Sequence, residues 1–257
     1  MKSKNLIIFC LVFVLIATSF IGCRKNVVTK VLKVGTSADY PPFESVDQIT
    51  NEFIGFDLDL MRLLGKKMGY TKVAIMNMDF DTIIPSLNAD KIDIAAACIT
   101  VTPERLEIAD AVEYLSTGQS ILVKNDNVFD PQLFEDLNGK TVGVQKGTTG
   151  EEAIDVAISD NNTLNIIVRR YTSVVLAMMD LSNGSIDAVI IDTPVADYYS
   201  AIGDYRTTAE IISENVGLFV RKGNITLLDS LKKAFKEVKG SVEWNSLIEK
   251  YFSLSEE

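Results

Sequence analysis

Arg105 ends the segment "TVTPER", where Thr102 is suited to cap a helix and Pro103 to stand first in it. A cation is poorly placed in a first helical turn, whose dipole favours anions. Arg105 therefore points to an anionic guest: a guanidinium grips a carboxylate through two parallel hydrogen bonds, and the Thr100 hydroxyl and first-turn amides add donors. A solvated arginine on a capped helix is the plainer alternative. A second helix start, "QKGTTGEE", offers Thr148 and Thr149 to the same carboxylate. It lacks the Gly-Lys-Ser/Thr ending of a phosphate loop, so no nucleotide is expected. Asp192 closes the apolar run "IDAVIID", placed either to pair with an ammonium or to cap the helix that follows. Tyr40 in "TSADYPPFE" and Phe80 in "MDFD" follow two other apolar runs. Their rings either sandwich an aliphatic stem or pack in the core, and Pro41 and Pro42 stiffen the backbone beside Tyr40. A carboxylate clamp, an acid for an ammonium and two rings for a stem describe a free amino acid, and none of these groups makes or breaks bonds.

The composition narrows the chemistry further. The 257 residues contain no histidine, which removes Ser/His/Asp and Cys/His catalysis and the commonest zinc ligand. No metal or cofactor is expected. The formal net charge is −10, and it becomes more negative once Lys2 and Lys4 leave with the leader, a balance unsuited to nucleic acid. Residues 1–22 read as a secretory signal: two lysines, an apolar run from Leu6 to Ala17, then small and apolar residues up to Cys23. The ending "IGC" is similar to a bacterial lipobox, with Phe20 where leucine is usual. That similarity implies a lipid on Cys23 and a tether over residues 23–31; a plain signal peptide is the alternative. Cys10 departs with the leader and Cys98 is then left alone, so no intramolecular disulfide is expected. A small buried apolar role suits Cys98.

These residues need elements to position them. From residue 31 the chain alternates β-branched runs with helical-period segments, an α/β pattern. "VLKVGTS" reads as strand and loop, "GFDLDLMRLLGKKMG" as a helix ended by Gly69, "KVAIMNM" as a strand, "DTIIPSLNAD" as a short helix and "IDIAAACI" as a strand. The order returns after residue 135, through "KTVGVQKGTTGEEAIDVAI", "NIIVRRY", "SVVLAMMDLSNG" and "IDAVIID". "LNADKID" and "LSNGSID" echo each other, as do "VGT" and "KGT" where strands close. Two lobes on one plan follow: lobe 1 from 32–119 and 221–257, lobe 2 from 120–220. The hinges are expected near 118–124 and 216–222, because "GQSILVKND" and "VGLFVRKGN" cross between the lobes. "LLDSLKKAFKEVKGSVEWNSLIEKYF" supplies two amphipathic helices that return to lobe 1. Strand ends in open α/β sheets collect ligands, so the loops carrying the candidate residues should meet in one cleft.

The motifs "VGTSADYPPFE", "GFDLDL", "MDFDTIIPSLNADKIDIAAACITVTPER", "LNGKTVGVQKGTTGEEA", "IDAVIIDTP" and "GLFVRKGN", in order from residue 32, resemble the polar amino acid-binding proteins of bacterial ABC importers. The resemblance implies a type II periplasmic-binding-protein fold, two α/β lobes closing on a polar L-amino acid, and a membrane permease as partner. It also implies a location in the cell envelope, lipid-anchored through Cys23, and a monomer. By position, the carboxylate arginine falls on Arg105, its hydroxyl neighbour on Thr100, and the lobe 2 carboxylate loop on Thr148 and Thr149. The ammonium's acid falls on Asp192 and its backbone carbonyl on Cys98; the aromatic walls fall on Tyr40 and Phe80. Ser37 stands where relatives often carry a side-chain-reading aspartate, and Gln145 takes the matching lobe 2 position. Both are neutral, which implies an uncharged or mixed side-chain preference unless Asp39 or Glu44 compensates. A dehydratase of the prephenate or arogenate type, or a ligand-sensing module, is the alternative on this fold.

Overall fold

The computed structural model describes residues 29–126 and 128–253; the leader, Cys23 and most of the tether lie outside them. Lobe 1 begins with β1 (Val31–Thr36), followed by the short strands β2 (Asp39–Tyr40), β3 (Glu44–Val46) and β4 (Phe53–Ile54), which form a small antiparallel sheet of their own. The segment "TSADYPPFE", expected as a loop, thus carries a hairpin that buries Tyr40 and Glu44. Helix α1 (Phe56–Lys67) buries Leu58, Leu60, Met61 and Leu64, with acids in its first turn and lysines in its last, as the helix dipole favours. It leads to β5 (Lys72–Asn77), and a three-ten turn at Phe80–Thr82 precedes α2 (Ile83–Asn88). All seven residues of β6 (Ile94–Thr100) are buried, the continuous apolar run of a strand covered on both faces. Thr102 caps α3 (Pro103–Ile108) by accepting from the Arg105 N–H, as expected.

Strand β7 (Ala109–Lys124) crosses to lobe 2, built from β8 (Thr141–Gln145), α4 (Thr149–Asp160), β9 (Ile167–Tyr171), α5 (Val174–Ser182), β10 (Ala188–Asp192) and α6 (Thr193–Ile202). Strand β11 (Tyr205–Arg221) returns, and α7 (Ile225–Val238) and α8 (Val242–Phe252) finish the chain on lobe 1. There Phe56 stacks on Tyr114 at 5.9 Å and meets Trp244 at 5.5 Å and Phe252 at 4.9 Å. Aromatic pairs of this kind each contribute about 0.5–1.5 kcal/mol beyond their buried area.

The strand order β5-β1-β6-β11-β7-β10-β8-β9 shows the repeat directly. Each lobe has its first strand between two parallel neighbours and one antiparallel crossing strand beyond: β5-β1-β6-β11 in lobe 1 and β9-β8-β10-β7 in lobe 2. The echo "LNADKID"/"LSNGSID" performs one task twice. Asp93 accepts from the Lys33 N–H at 2.7 Å and Asp187 from the Thr141 N–H at 2.8 Å, each pinning its strand to the first strand of its lobe. The preceding isoleucines lie over glycines that a Cβ would bring into collision: Ile92 Cδ1 at 2.3 Å for Gly35 and Ile186 Cδ1 at 2.7 Å for Gly143. The repeat therefore aligns Val34-Gly35 with Val142-Gly143, rather than the two Gly-Thr pairs that the sequence suggests. Ser37 and Gln145 become equivalent positions.

Strands β7 and β11 pair along almost their whole length, so one ladder runs through both lobes. Their register slips between Val216 and Gly217, where Tyr114 is passed over. Lobe 1 pairing, β11 with β6, ends at Val216; lobe 2 pairing, β7 with β10, begins at Gln119. At Gly118 any Cβ would lie 2.2 Å from the Ile212 carbonyl oxygen, so the crossing requires glycine.

Candidate functional site

The carboxyl ends of β1, β5, β6, β8 and β10 deliver the candidate residues to the lobe interface. Tyr40, Phe80, Cys98, Thr100, Arg105, Gln145, Thr148, Thr149 and Asp192 together line one narrow cleft between the lobes. Five come from lobe 1 and four from lobe 2, all at or just beyond the carboxyl ends of parallel strands. Ser37 is buried beside the cavity without lining it, its hydroxyl donating to Asp39 Oδ1 at 2.8 Å.

Arg105 reaches across the interface. Its guanidinium donates to the Thr100 carbonyl of its own lobe and to the Gly147 carbonyl of the other, both at 2.8 Å. Among the described residues no ion pair engages it. Burial pulls its pKa down, and the acids around it, Glu214 and Asp192 foremost, act in the opposite direction. A guanidinium so placed is short of a counter-charge, and a bound carboxylate would supply one.

Asp192 occupies the cap position of α6 but makes no side-chain cap bond. Of the two roles the sequence leaves open, capping is therefore not the one it performs. Its Oδ2 accepts from the Tyr40 hydroxyl at 2.6 Å, and the same hydroxyl accepts from the Asp192 N–H at 3.0 Å, a lobe-to-lobe contact. Among the described residues no group meets hydrogen-bond geometry at Oδ1, which is buried, although the Gln119 amide and the Cys98 thiol lie close enough to act on the carboxyl. Burial pushes the Asp192 carboxyl up to about 7, with the nearby Glu214 adding to the rise and the Tyr40 hydroxyl opposing it. A buried carboxylate oxygen with spare acceptor capacity is suited to an N–H donor.

The threonines behave differently from expectation. Thr148 caps α4, accepting from the Glu151 N–H and donating its own proton to the Gln145 carbonyl at 2.7 Å. Thr100 and Thr149 both donate to Glu214 Oε2 at 2.9 Å, and Gln119 joins them at 3.1 Å. Each hydroxyl has one proton, and all three protons are engaged by protein acceptors. What this corner leaves for a carboxylate is the Arg105 guanidinium and the Thr149 and Gly150 N–H groups at the start of α4, which have no partner within the helix. Glu214 and Gln119 escape sequence reasoning because polar residues on the crossing strands carry no local sign that they meet at the cleft.

Cys98 adopts φ 47°, a left-handed conformation, and its N–H donates to Asp57 Oδ2 at 2.9 Å. Burial raises its thiol pKa well above the usual range, so it presents no thiolate to the cavity. Phe80 lies 5.8 Å from the Arg105 guanidinium carbon, and Tyr40 is 6 % exposed. Gln145 donates to Asp39 Oδ2 at 3.3 Å; Asp39 also takes the Val174 N–H at the start of α5 at 3.0 Å. Ser37 and Gln145, the two neutral side-chain-reading positions, thus converge on one carboxylate. Among the described residues no group of three or more His, Cys, Asp or Glu side chains is arranged to hold a metal ion.

Two lobes of one plan, two crossing strands and a cavity lined from both sides define a type II two-lobed binding protein. The chain matches the bacterial extracellular solute-binding proteins, family 3, over residues 32–254, and belongs to that family. It is 31% identical over 229 residues to ABC transporter arginine-binding protein 1 of Escherichia coli (strain K12), covering 86% of this chain and 90% of that protein. Among solved structures it is similar to an ancestral arginine-binding protein bound to arginine, with 37% identity, 87% of this chain and 98% of the other covered, and a TM-score of 0.80. It is similar too to AncCDT-1, an ancestral amino acid-binding protein and precursor of cyclohexadienyl dehydratase, with 35% identity, 87% and 96% covered, and a TM-score of 0.80.

Proposed function

We propose that the protein captures a polar L-amino acid between its lobes and hands it to the permease of an ABC importer. The observation that carries this is the matched pair in the cleft: among the described residues, a half-buried guanidinium without an acid partner and a buried carboxylate oxygen without a hydrogen-bonded donor. A zwitterion supplies both missing charges. Its carboxylate meets Arg105 and the α4 amides; its ammonium meets Asp192 Oδ1 and the Cys98 carbonyl. Tyr40 and Phe80 exclude water around the stem, which strengthens both pairs. Because the contacts come from both lobes, the ligand favours the closed arrangement over the open one. The hinge falls in the stretch where lobe 1 pairing has ended and lobe 2 pairing has not begun, residues 116–118 of β7 and 213–215 of β11.

For the side chain, Asp39 supports a cationic group. Its carboxylate sits with Ser37 and Gln145, so the corner that lacks an acid by sequence has one in three dimensions. Arginine, which the Escherichia coli relative is named for, is the first ligand to test. The dehydratase alternative is less supported, since the relative linked to that activity is itself an amino acid-binding protein. A lipid on Cys23 would hold the protein at the membrane beside its permease as a monomer; among the described residues no helix is long and apolar enough to span one.

Titration calorimetry of the chain with the twenty amino acids tests the reading. At least one polar amino acid should bind one to one, and Arg105→Ala should weaken it by about a hundredfold or more, the cost of leaving a buried charge unpaired. No binding by any amino acid, or an unaffected Arg105→Ala protein, would overturn it.

A further inference from the structure

Strand β6 is irregular at one place. Ala95 lies opposite Phe219 and Ile99 opposite Gly217, so a four-residue step on β6 is spanned by two residues of β11. Cys98 sits inside this bulge at φ 47°. A Cβ disfavours that conformation, and asparagine and aspartate tolerate it best. The other described non-glycine residues with positive φ, Asn51 and Asp90, are of those types and exposed. Cys98 is neither; it is 4 % exposed and lines the cavity. Backbone strain at a ligand cavity persists only where the surroundings over-determine it.

The determinant is Asp57, forty-one positions earlier in sequence, whose Oδ2 takes the Cys98 N–H at 2.9 Å. Asp57 is fully buried in the first turn of α1, and its neighbour Phe56 anchors that turn in the aromatic cluster beneath. A carboxyl group with no access to water is costly, and it persists where it holds something in place.

We propose that Asp57 is a positioning residue for ammonium recognition: it fixes the Cys98 bulge so that the Cys98 carbonyl stands clear of the ladder and faces the cavity beside Asp192. This rests on the amino-acid reading above and adds a residue that never touches the ligand. The bulge is the means by which a central strand, whose carbonyls otherwise belong to its neighbours, releases one acceptor to a guest.

The test separates an effect on the ammonium from a general loss of structure. Titration calorimetry would compare the tightest-binding amino acid with its analogue carrying hydrogen in place of the α-amino group. Measurements on the wild type, Asp57→Ala and Asp57→Asn would be joined by Asp57→Leu, which keeps the branching of the side chain and leaves no void should alanine prevent folding. Asp57→Ala or Asp57→Leu should weaken the amino acid by about tenfold or more, the scale of one lost charge-assisted hydrogen bond. The same variants should change the analogue by less than about twofold, and Asp57→Asn, whose side-chain oxygen still accepts, should stay within about threefold of wild type. Equal weakening of both ligands would make Asp57 a purely structural residue and overturn the proposal, as would an unchanged amino-acid affinity. If no amino acid binds the wild type, the reading of the site fails first and takes the proposal with it.

Discussion

Burial and recognition act on Asp192 in opposite directions. Desolvation holds the carboxyl protonated up to about pH 7 in the empty cavity, whereas an ammonium at Oδ1 favours the ionised form. Because the folded pKa is raised above the unfolded value, the stability that Asp192 contributes is fully present at low pH and is lost as pH rises through about 7. Asp57, also raised to about 7 by burial, adds to the same trend. Ligand affinity runs the other way, falling by up to about tenfold per pH unit below 7 as Asp192 must first lose its proton. Thermal unfolding across this range, with and without amino acid, should show a ligand-induced shift that grows with pH. A shift independent of pH would remove Asp192 from the ammonium site. Arg105 and Asp192 were legible in the sequence because a cation in a first helical turn and an acid ending an apolar strand are each out of place locally. Asp57 and Glu214 were not: an acid in a first helical turn and another on a long strand look ordinary until tertiary packing buries or surrounds them.

Closure is the work of element ends. The three-ten turn after β5, the loop before α4 and the start of α5 meet across the interface, and their fit is close. Gly147, at φ 77°, would place a Cβ 3.0 Å from Asp81 Cβ and 3.2 Å from Asp81 Cα in the opposite lobe. Gly147→Ala should destabilise the empty protein by only about 1–2 kcal/mol, the cost of a left-handed alanine. Ligand affinity should fall further than that, because the collision arises only when the lobes are together. Denaturant unfolding and calorimetry on the same protein separate the two effects; an affinity loss no larger than the stability loss would show that Gly147 and Asp81 do not meet on closure. The elements themselves were largely readable, since strands β1, β6, β8 and β10 are apolar runs ended by polar residues. The small sheet that carries Tyr40 was not, because strands of two and three residues have too little periodicity to register. The alignment of the repeat is hidden for the same reason: equivalence is marked by an isoleucine packed over a glycine, Ile92 on Gly35 and Ile186 on Gly143, a contact between segments far apart in sequence.

For the whole molecule, one duplicated α/β plan brings its strand ends face to face, and nine residues scattered from Tyr40 to Asp192 become one cavity wall. The two crossing strands join the lobes in one sheet, and bonds of Tyr40, Asp39 and Arg105 tie the lobes together across the cleft. The proposed zwitterion bridges Arg105 of lobe 1 and Asp192 of lobe 2. A crystal structure of the protein with its tightest-binding amino acid tests this most directly. The α-carboxylate should lie within hydrogen-bonding distance of the Arg105 guanidinium, and the α-ammonium should lie on Asp192 Oδ1 and the Cys98 carbonyl, with both lobes in contact. An amino acid held by one lobe alone, or bound with its ammonium away from Asp192, would contradict it.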